Sequence, residues 1–284
     1  MNEGVISVRL SDGLGNRLFQ LAALLGYAER WALKPTLFPS QILGCNHADA
    51  DKAHLLFPQL ALEWNVAGWT KVTEDPADCA TYKERAKPDK AAKKPDEAAQ
   101  KPDEPEPVLL AGHFQTPRYF PTKTPLALSF QSALSAERRA ALDLHIKDGC
   151  SWWIHVRLGD YMVLPHYHID ILRYLAKVIG VIPAGERVIL YSDSPGEALR
   201  VLQGLQGGIE FVPAPEGLSP IETLYMMSKA TGGCICTNST FSWWGAYSSA
   251  VRVRGGPIYF PGRWHALPYP TADLYPPWGT VVNY

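Results

Sequence analysis

Two side chains that can bind an anion lie on one face of a predicted strand in the second half of the chain. Within Trp152–Asp160, strand alternation places His155 and Arg157 on one face and the apolar residues, Leu158 among them, on the other. A guanidinium is always charged and matches phosphate oxygens as a fork, so Arg157 is suited to a pyrophosphate. An ion pair between Arg157 and Asp160, beside a core histidine, explains the same pattern, and both interpretations stay open.

Polar residues also follow the next predicted strand. Asp193 comes directly after the run Val188–Ser192 and precedes a Ser-Pro-Gly turn. A carboxylate at the end of a strand can accept two hydrogen bonds from a guanine edge or a ribose. Considered without other motifs, Asp193 is more commonly explained as the cap of the following helix than as a ligand contact.

A third predicted strand, Cys234–Thr237, continues into Asn238, Ser239 and Thr240 and then into a helix near Phe241. Hydroxyl groups and free backbone amides at a helix N-terminus form an anion site, which the helix dipole supports. Serine and threonine are also ordinary N-caps, so the spacing leaves both roles open.

A glycine turn near the start of the chain can also bring backbone close to a sugar diphosphate. Gly13–Asn16 separates a predicted strand at 5–10 from a helix-period run at 18–28. The turn lacks the Lys-Ser/Thr ending of a P-loop and the third glycine of a dinucleotide fingerprint. By itself it is therefore weak evidence for a phosphate-binding site. His166 and His168 are two residues apart without an obvious third ligand, and we assign no metal.

The elements that position these groups alternate regularly after residue 150. Strands are predicted at 152–158, 187–193, 209–212, 234–237 and 258–260, and helices at about 169–181, 197–206, 219–230 and 241–251. This alternation predicts right-handed crossovers and a parallel sheet that is covered on both faces. We therefore predict an α/β protein with a first domain at 1–150 and a Rossmann-like second domain at 151–284.

One segment of the first half differs in composition from the rest of the chain. Residues 83–107 are rich in proline and charge, and the triplet Lys-Pro-Asp begins at 87, 94 and 101. A proline in each seven-residue unit opposes a continuous helix, and the repeat has no apolar seam. We predict an exposed insertion, with a docking tail as the functional alternative.

The overall composition excludes several classes of protein. The chain has 284 residues, 46% of them hydrophobic, which is enough for a large core. Its 27 basic and 28 acidic residues give a net charge of -1, which does not favour nucleic acid as a partner. Five scattered cysteines indicate reduced thiols rather than a disulfide framework. Without a signal-like start or an apolar run of bilayer length, we expect a cytoplasmic protein, free or peripheral to a membrane, with no integral membrane segment.

Five stretches, in order along the chain, resemble motifs of the alpha-1,2-fucosyltransferase family in its bacterial form. They are 12–20 (DGLGNRLFQ), 112–120 (GHFQTPRYF), 155–161 (HVRLGDY), 191–193 (YSD) and 238–246 (NSTFSWWGA). The last, with its double tryptophan, is highly specific. The resemblance implies a GT-B-like fold in which two Rossmann-like domains face a central cleft. It also implies a GDP-fucose site in the second half, inversion at the anomeric carbon and no metal requirement.

The resemblance assigns roles residue by residue. Arg157 would hold the β-phosphate. The other nucleotide-binding residues would be His155 beside the nucleotide, Asp193 at guanine, Asn238, Ser239, Thr240 and the Phe241 amide at the diphosphate, and Asn16 in the cleft. Asp160 is the first candidate for the general base because it follows the Arg157 strand, with His166 and His168 on the next loop. A structural pair of Asp160 with Arg157 is supported equally.

The reaction implied is transfer of L-fucose from GDP-fucose, a substrate rather than a cofactor, to the 2-hydroxyl of a terminal galactose. Family members carry arginine where this chain has Leu158 and glutamine where it has Arg17. Because alternation places Leu158 opposite Arg157, we expect activity to survive this change.

Three alternatives remain beside that reaction. They are a GDP-sugar-binding protein without turnover, a transferase for another GDP-sugar, and a nucleotide-dependent enzyme of another class, which leaves the double tryptophan unexplained. Acceptor contacts are expected from the first half, where some aromatic side chains could stack on a sugar or belong to the core. These are Trp64, Trp69, His113 and Tyr119.

Overall fold

The computed structural model describes residues 4–38, 49–62, 70–75, 80–88, 107–146, 150–205 and 208–284. The chain divides into two compact units. The first comprises Met1–Ser129 and Ala272–Leu274, and the second comprises Phe130–Thr271 and Tyr275–Tyr284. Cys45, Cys79, Trp64, Trp69 and most of the predicted insertion lie outside the described residues.

A parallel sheet forms the centre of the first unit. Its described strands are β1 (Val5–Val8), β2 (Lys34–Leu37), β3 (Ala61–Leu62), β4 (Thr70–Thr73) and β5 (Val108–Ala111), in the order β3-β2-β1-β5-β4. Helix α1 (Leu14–Trp31) follows β1 through the predicted glycine turn, and most of its residues are buried. Short 3-10 helices lie at Ala50–Leu56 and Pro117–Tyr119.

A short piece from near the end of the sequence completes the first unit. The carboxylate of Asp273 accepts a hydrogen bond from the Tyr82 amide at 2.9 Å and pairs with Arg118 at 3.0 Å. Its carbonyl accepts a bond from the Thr116 hydroxyl at 2.6 Å, and the neighbouring Leu274 is fully buried. Residues 272–274 therefore contribute both hydrogen bonds and core to this unit.

The start of the predicted insertion is tied to the first unit by hydrogen bonds. Arg85 donates to the Thr73 carbonyl at 2.7 Å, and Lys87 donates to the Trp31 carbonyl at 3.0 Å. Residues 83–88 are mostly solvent-exposed but held in place, whereas 89–106 lie outside the described residues.

The second unit is built on a six-stranded parallel sheet, counted over its described residues. The strands are β6 (Cys150–Val156), β7 (Arg187–Ser192), β8 (Glu210–Pro213), β9 (Gly233–Ile235), β10 (Ile258–Pro261) and β11 (Thr280–Val282), in the order β11-β10-β9-β6-β7-β8. The helices are α2 (Phe130–Ala133), α3 (Ala136–Ile146), α4 (Ile171–Val178), α5 (Pro195–Gln203), α6 (Pro220–Ser228), α7 (Thr240–Ser248) and α8 (Ala250–Val253). The fold class predicted from the sequence, α/β with two Rossmann-like units, is confirmed.

The predicted alternation along β6 is confirmed by its packing. Trp152, Ile154, Val156 and Leu158 join one apolar cluster with the inner face of α4. On the other face Trp153 is buried and its indole N–H donates to the Met227 carbonyl at 3.2 Å. The strand is therefore covered on both sides, as its nearly continuous apolar sequence requires.

The second unit begins earlier than residue 150. Helices α2 and α3 pack on α6: the Phe130 ring lies 5.5 Å from the Tyr225 ring, Tyr225 donates to Asp143 at 2.8 Å, and Arg138 pairs with Glu222 at 2.5 Å. Glu222 also closes the predicted capping box at the start of α6. These contacts place residues 130–146 with the second sheet.

The described cysteines lie in the core of the second unit. Cys150, Cys234 and Cys236 are buried and free, and burial raises the pKa of the Cys234 thiol to about 12. They behave as small apolar core residues. Among the described helices, none combines the length and the hydropathy that crossing a membrane requires.

Candidate functional site

Three neighbouring strands of the second sheet end in the polar residues singled out from the sequence. Strand β6 lies between β9 and β7, and all three run parallel. Their carboxyl ends therefore meet at one edge of the sheet, which is where ligands of such folds bind. Arg157 follows β6, Asp193 follows β7, and Ser239 follows β9.

The guanidinium of Arg157 lies between two carboxylates. Its Nε is 3.0 Å from Asp160 Oδ1 and 3.2 Å from Asp193 Oδ2, and its Nη2 is 2.8 Å from Asp160 Oδ1. The sequence left open whether Asp160 is a general base or an ion-pair partner of Arg157, and this contact is the ion pair. No described residue is hydrogen-bonded to Nη1 of Arg157. The two carboxylates thus fix the orientation of the guanidinium and leave one of its nitrogens for a ligand.

Asp193 is a positioning group for the residues that follow β6. Its Oδ1 accepts a hydrogen bond from the Leu158 amide at 2.9 Å while its Oδ2 faces Arg157. Gly159 permits this arrangement, because a Cβ at that position would overlap Asp193 Oδ2. Both carboxylate oxygens have protein partners, so Asp193 can contact guanine only by sharing or exchanging them. It does not cap α5: no side-chain hydrogen bond caps that helix.

Burial keeps the predicted nucleotide neighbour His155 neutral. Its side chain is 6% exposed, and burial, with the nearby Arg157 charge, lowers its pKa to about 3. Its Nδ1 is buried and has no hydrogen-bond partner in the described part of the chain. The ring lies 5.6 Å from that of Phe241 at the start of α7, which joins the ends of β6 and β9.

The start of α7 is capped by its own sequence. Ser239 Oγ accepts a hydrogen bond from the Phe241 amide at 3.3 Å, a long bond that an anion could replace. Thr240 is the first helical residue. Asn238 is buried, and its amide donates to the carbonyls of Tyr167 at 3.0 Å and Trp264 at 3.1 Å. Asn238 therefore holds two loops together, and its amide hydrogens are committed to the protein.

The double tryptophan belongs to the core beneath the site. Trp243 and Trp244 are fully buried, and Trp243 stacks on Tyr247 with ring centroids 5.4 Å apart. It also packs edge-on against Trp278 at 5.6 Å. The tryptophans thus fix α7 and its N-terminus rather than contact a ligand at the sheet edge.

An aromatic group beside Arg157 was not predicted from the sequence. Tyr161 and Tyr167 stack with ring centroids 4.6 Å apart, and the guanidinium carbon of Arg157 is 5.6 Å from the Tyr161 centroid. Tyr167 also lies 5.8 Å from His265, a buried imidazole whose ring nitrogens have no partner among the described residues. Only folding brings residues 161–167 and 265 together, so spacing carried no signal for this group.

Asn16 lies in the first unit, in the first turn of α1. Its Oδ1 accepts a hydrogen bond from Gln115 at 3.0 Å. The neighbouring Arg17 is 2% exposed and donates to the carbonyls of Asp12 at 3.1 Å and Ala50 at 3.2 Å. Arg17 is therefore structural, and Leu158, the other position that differs from the motifs this chain resembles, is a core residue.

The carboxyl edge of the first sheet carries a cluster of titratable residues, of which the sequence analysis named only His113. Asp12, His113 and Glu74 follow the adjacent strands β1, β5 and β4. His113 Nε2 is 2.8 Å from Asp12 Oδ2, and this hydrogen bond raises the pKa of His113 and lowers that of Asp12 to about 2. Glu74 is 3% exposed, and burial raises its pKa to about 7.

The other aromatic candidates of the first half divide in two. Tyr119 is fully buried and packs on Phe114 and Tyr27, which makes it a core residue. His113 is partly exposed. His166 and His168 belong to no cluster of metal ligands, since the described residues contain no group of three or more His, Cys, Asp or Glu side chains placed to hold a metal ion.

Comparison with known proteins gives similar structures and no similar sequence. No protein-family model matches the chain. No curated protein matches it at a significant level. The selenomethionine form of fucosyltransferase NodZ from Bradyrhizobium is similar with a TM-score of 0.49 and 17% identity, over 88% of this chain and 93% of that one.

Two further structures are of NodZ alpha-1,6-fucosyltransferase. The form soaked with GDP-fucose has a TM-score of 0.44 and 17% identity, over 87% of this chain and 93% of that one. The form co-crystallised with GDP has a TM-score of 0.45 and 18% identity, over 88% and 93%. The linkage named for these proteins is alpha-1,6, whereas the motifs of this chain resemble the alpha-1,2 family.

Proposed function

We propose that the chain is an inverting fucosyltransferase that transfers L-fucose from GDP-fucose to the 2-hydroxyl of a terminal galactose. The observation that carries the proposal is the meeting of Arg157 and the capped N-terminus of α7 at the carboxyl edge of adjacent parallel strands. A fixed guanidinium and a helix N-terminus at this edge suit a nucleoside diphosphate. The family motifs supply the choice of guanosine and fucose.

The chemistry follows from where charge develops. When GDP leaves, negative charge gathers on its β-phosphate while the fucosyl ring becomes oxocarbenium-like. The Arg157 guanidinium, held by Asp160 and Asp193, would stabilise the leaving phosphate without reorienting during the reaction. The Ser239 hydroxyl and the Phe241 amide would exchange their long mutual bond for phosphate oxygens.

Neither departure from the family favours an inactive protein. Leu158 fills the apolar cluster behind β6, so an arginine there would not reach a ligand at the Arg157 face. Arg17 donates hydrogen bonds to two backbone carbonyls of the first unit and is buried there. We therefore propose turnover rather than binding alone.

The test is to incubate the purified protein with GDP-fucose and a panel of beta-galactosides, with and without a chelator. We expect released GDP and an alpha-1,2-linked product in both conditions. Arg157→Ala should lower kcat by about 10²- to 10³-fold, as loss of one preorganised donor does. Arg173→Ala, which removes an exposed arginine on α4, is the matched control and should be unchanged.

The outcomes separate the parts of the proposal. GDP-fucose binding without product would indicate a binding protein. A product with another linkage would contradict only the 2-hydroxyl assignment. Activity that disappears in chelator would contradict the metal-free mechanism. Equal rates for Arg157→Ala and Arg173→Ala would refute the role given to the guanidinium.

A further inference from the structure

Exposed apolar side chains concentrate on two loops of the second unit, 160–168 and 263–270, and on the helix turn that follows the first of them. Among the described residues, ten large hydrophobic side chains are solvent-exposed, and half of them lie here: Met162, Val163, Leu172, Leu267 and Tyr269. Val163 is 75% exposed. Single exposed apolar residues are ordinary, but several at one place mark an interaction surface. We call these five residues the loop patch.

The two loops are fastened to each other. The Ala266 amide donates a hydrogen bond to the His166 carbonyl at 2.8 Å, and the rings of Tyr167 and His265 lie 5.8 Å apart. The buried side chain of Asn238 donates to one carbonyl in each loop. The apolar side chains of both loops are therefore carried by one hydrogen-bonded frame.

The loop patch is not needed to anchor these loops in the fold. Each loop has a buried apolar neighbour or member of its own, Ile169 for the first and Trp264 for the second. Helix α4 joins the same frame, because the Tyr284 hydroxyl interacts electrostatically with both Arg263 and Asp170, the residue before the helix. Apolar side chains that the core does not use, on loops that are already fixed, are available to a partner.

Basic side chains outnumber acidic ones around the loop patch. Segments 161–178 and 263–270 contain one acidic residue, Asp170, and three exposed residues with a permanent positive charge: Arg173, Lys177 and Arg263. Asp170 also caps α4, where its carboxylate accepts a hydrogen bond from the Arg173 amide at 3.1 Å. The chain as a whole has a net charge of -1, so this positive surface is a local feature.

We propose that the loop patch docks the second unit on an anionic phospholipid surface, an inference that does not depend on the proposed function. The apolar side chains would enter the boundary between headgroups and acyl chains, and the three cations would lie at the headgroups. Tyr269 suits this boundary, since its ring is apolar and its hydroxyl is polar. A lipid surface accommodates both the apolar side chains and the positive charge that surrounds them.

The experiment is sedimentation of the full-length protein with vesicles of phosphatidylcholine alone and with vesicles that also contain phosphatidylglycerol, at low and high salt. We expect stronger binding to the anionic vesicles, weakened by salt because ions screen the charges. Val163→Asp should weaken this binding by at least about tenfold, because burial of a valine side chain favours binding by that factor or more. Lys177→Gln should weaken it by about fivefold, the factor expected for one cation near the surface.

The matched control is Leu144→Asp, which changes an exposed leucine of α3 outside the loop patch and should bind like the wild type. Thermal midpoints show whether each variant is folded. Equal binding of folded Val163→Asp and Leu144→Asp would overturn the inference, as would a wild type that binds both kinds of vesicle equally or neither. A wild type that forms dimers, is split into monomers by Val163→Asp and ignores vesicles would assign the loop patch to a second copy of the chain and also overturn it.

Discussion

Replacement of Asp160 by asparagine decides whether this residue is a base or a support for Arg157. The ion pair joins groups at 2.8 Å, but 32% of the Arg157 side chain and 44% of the Asp160 side chain are exposed. Exposed pairs of this kind contribute about 0.2 to 1 kcal/mol. Since 1.36 kcal/mol in a barrier corresponds to tenfold in rate, the lost pair should lower kcat/KM by at most about fivefold.

The alternative predicts a much larger effect. Loss of a general base costs about 10²- to 10⁴-fold in rate and removes an ionisation from the pH profile. In Asp160→Asn the amide oxygen can still accept the Arg157 Nε–H bond, and Asp193 still faces the same nitrogen at 3.2 Å. We therefore expect a small loss in kcat/KM and an unchanged pH profile.

The assay is GDP release at several pH values with GDP-fucose and a beta-galactoside. The double variant Asp160→Asn/Asp193→Asn should lose more than the product of the two single losses, because only then does the guanidinium lack any carboxylate to orient it. A single Asp160→Asn variant that loses more than about a hundredfold in rate, together with one ionisation of the pH profile, would refute this reasoning and make Asp160 the base.

Two further predictions concern the same unit. Gly159→Ala should weaken GDP-fucose binding with little change in thermal midpoint, because the added Cβ would displace the Asp193 carboxylate from Arg157. Calorimetry measures the binding, and Gly196→Ala is the control because a Cβ at that position would contact no other residue. The free energy of unfolding should fall by on the order of 2 kcal/mol between pH 7 and pH 5 because of His155 alone. In the unfolded chain this histidine binds a proton near pH 6.5, whereas in the native protein its pKa is about 3 and it stays neutral over this range. Denaturant titrations of the wild type and of His155→Gln at both pH values check this, and equal losses in the two proteins would contradict it.

Strand periodicity predicted five of the six described strands of the second sheet and the two faces of β6, but it did not predict β11. The structure places Leu158 in the apolar cluster and Arg157 at the sheet edge, as alternation required. The same periodicity could not show that β9, β6 and β7 are neighbours, because strand order depends on crossovers and not on local pattern. Nor could it choose between the two roles of Asp160, since both need the same spacing.

The remaining differences come from contacts between residues far apart in sequence. Asp12 and His113 are separated by 101 positions and meet because β1 and β5 pair in register. The boundary before Phe130, rather than at residue 150, follows from helix packing on α6, which a change in composition does not reveal.

The small piece at Ala272–Leu274 has a consequence for biosynthesis. A chain made from its N-terminus has every described strand of the first sheet, together with Tyr82, Thr116 and Arg118, once residue 118 has emerged, yet the partner of these three residues is still missing. Asp273 supplies it only after nearly all of the second unit has been synthesised. Domains usually mature in order on the ribosome, N-terminal first. Here the first unit would wait, incomplete, until the last strand but one had been translated, and a gene fragment that ended at residue 129 would encode a unit without its closing segment.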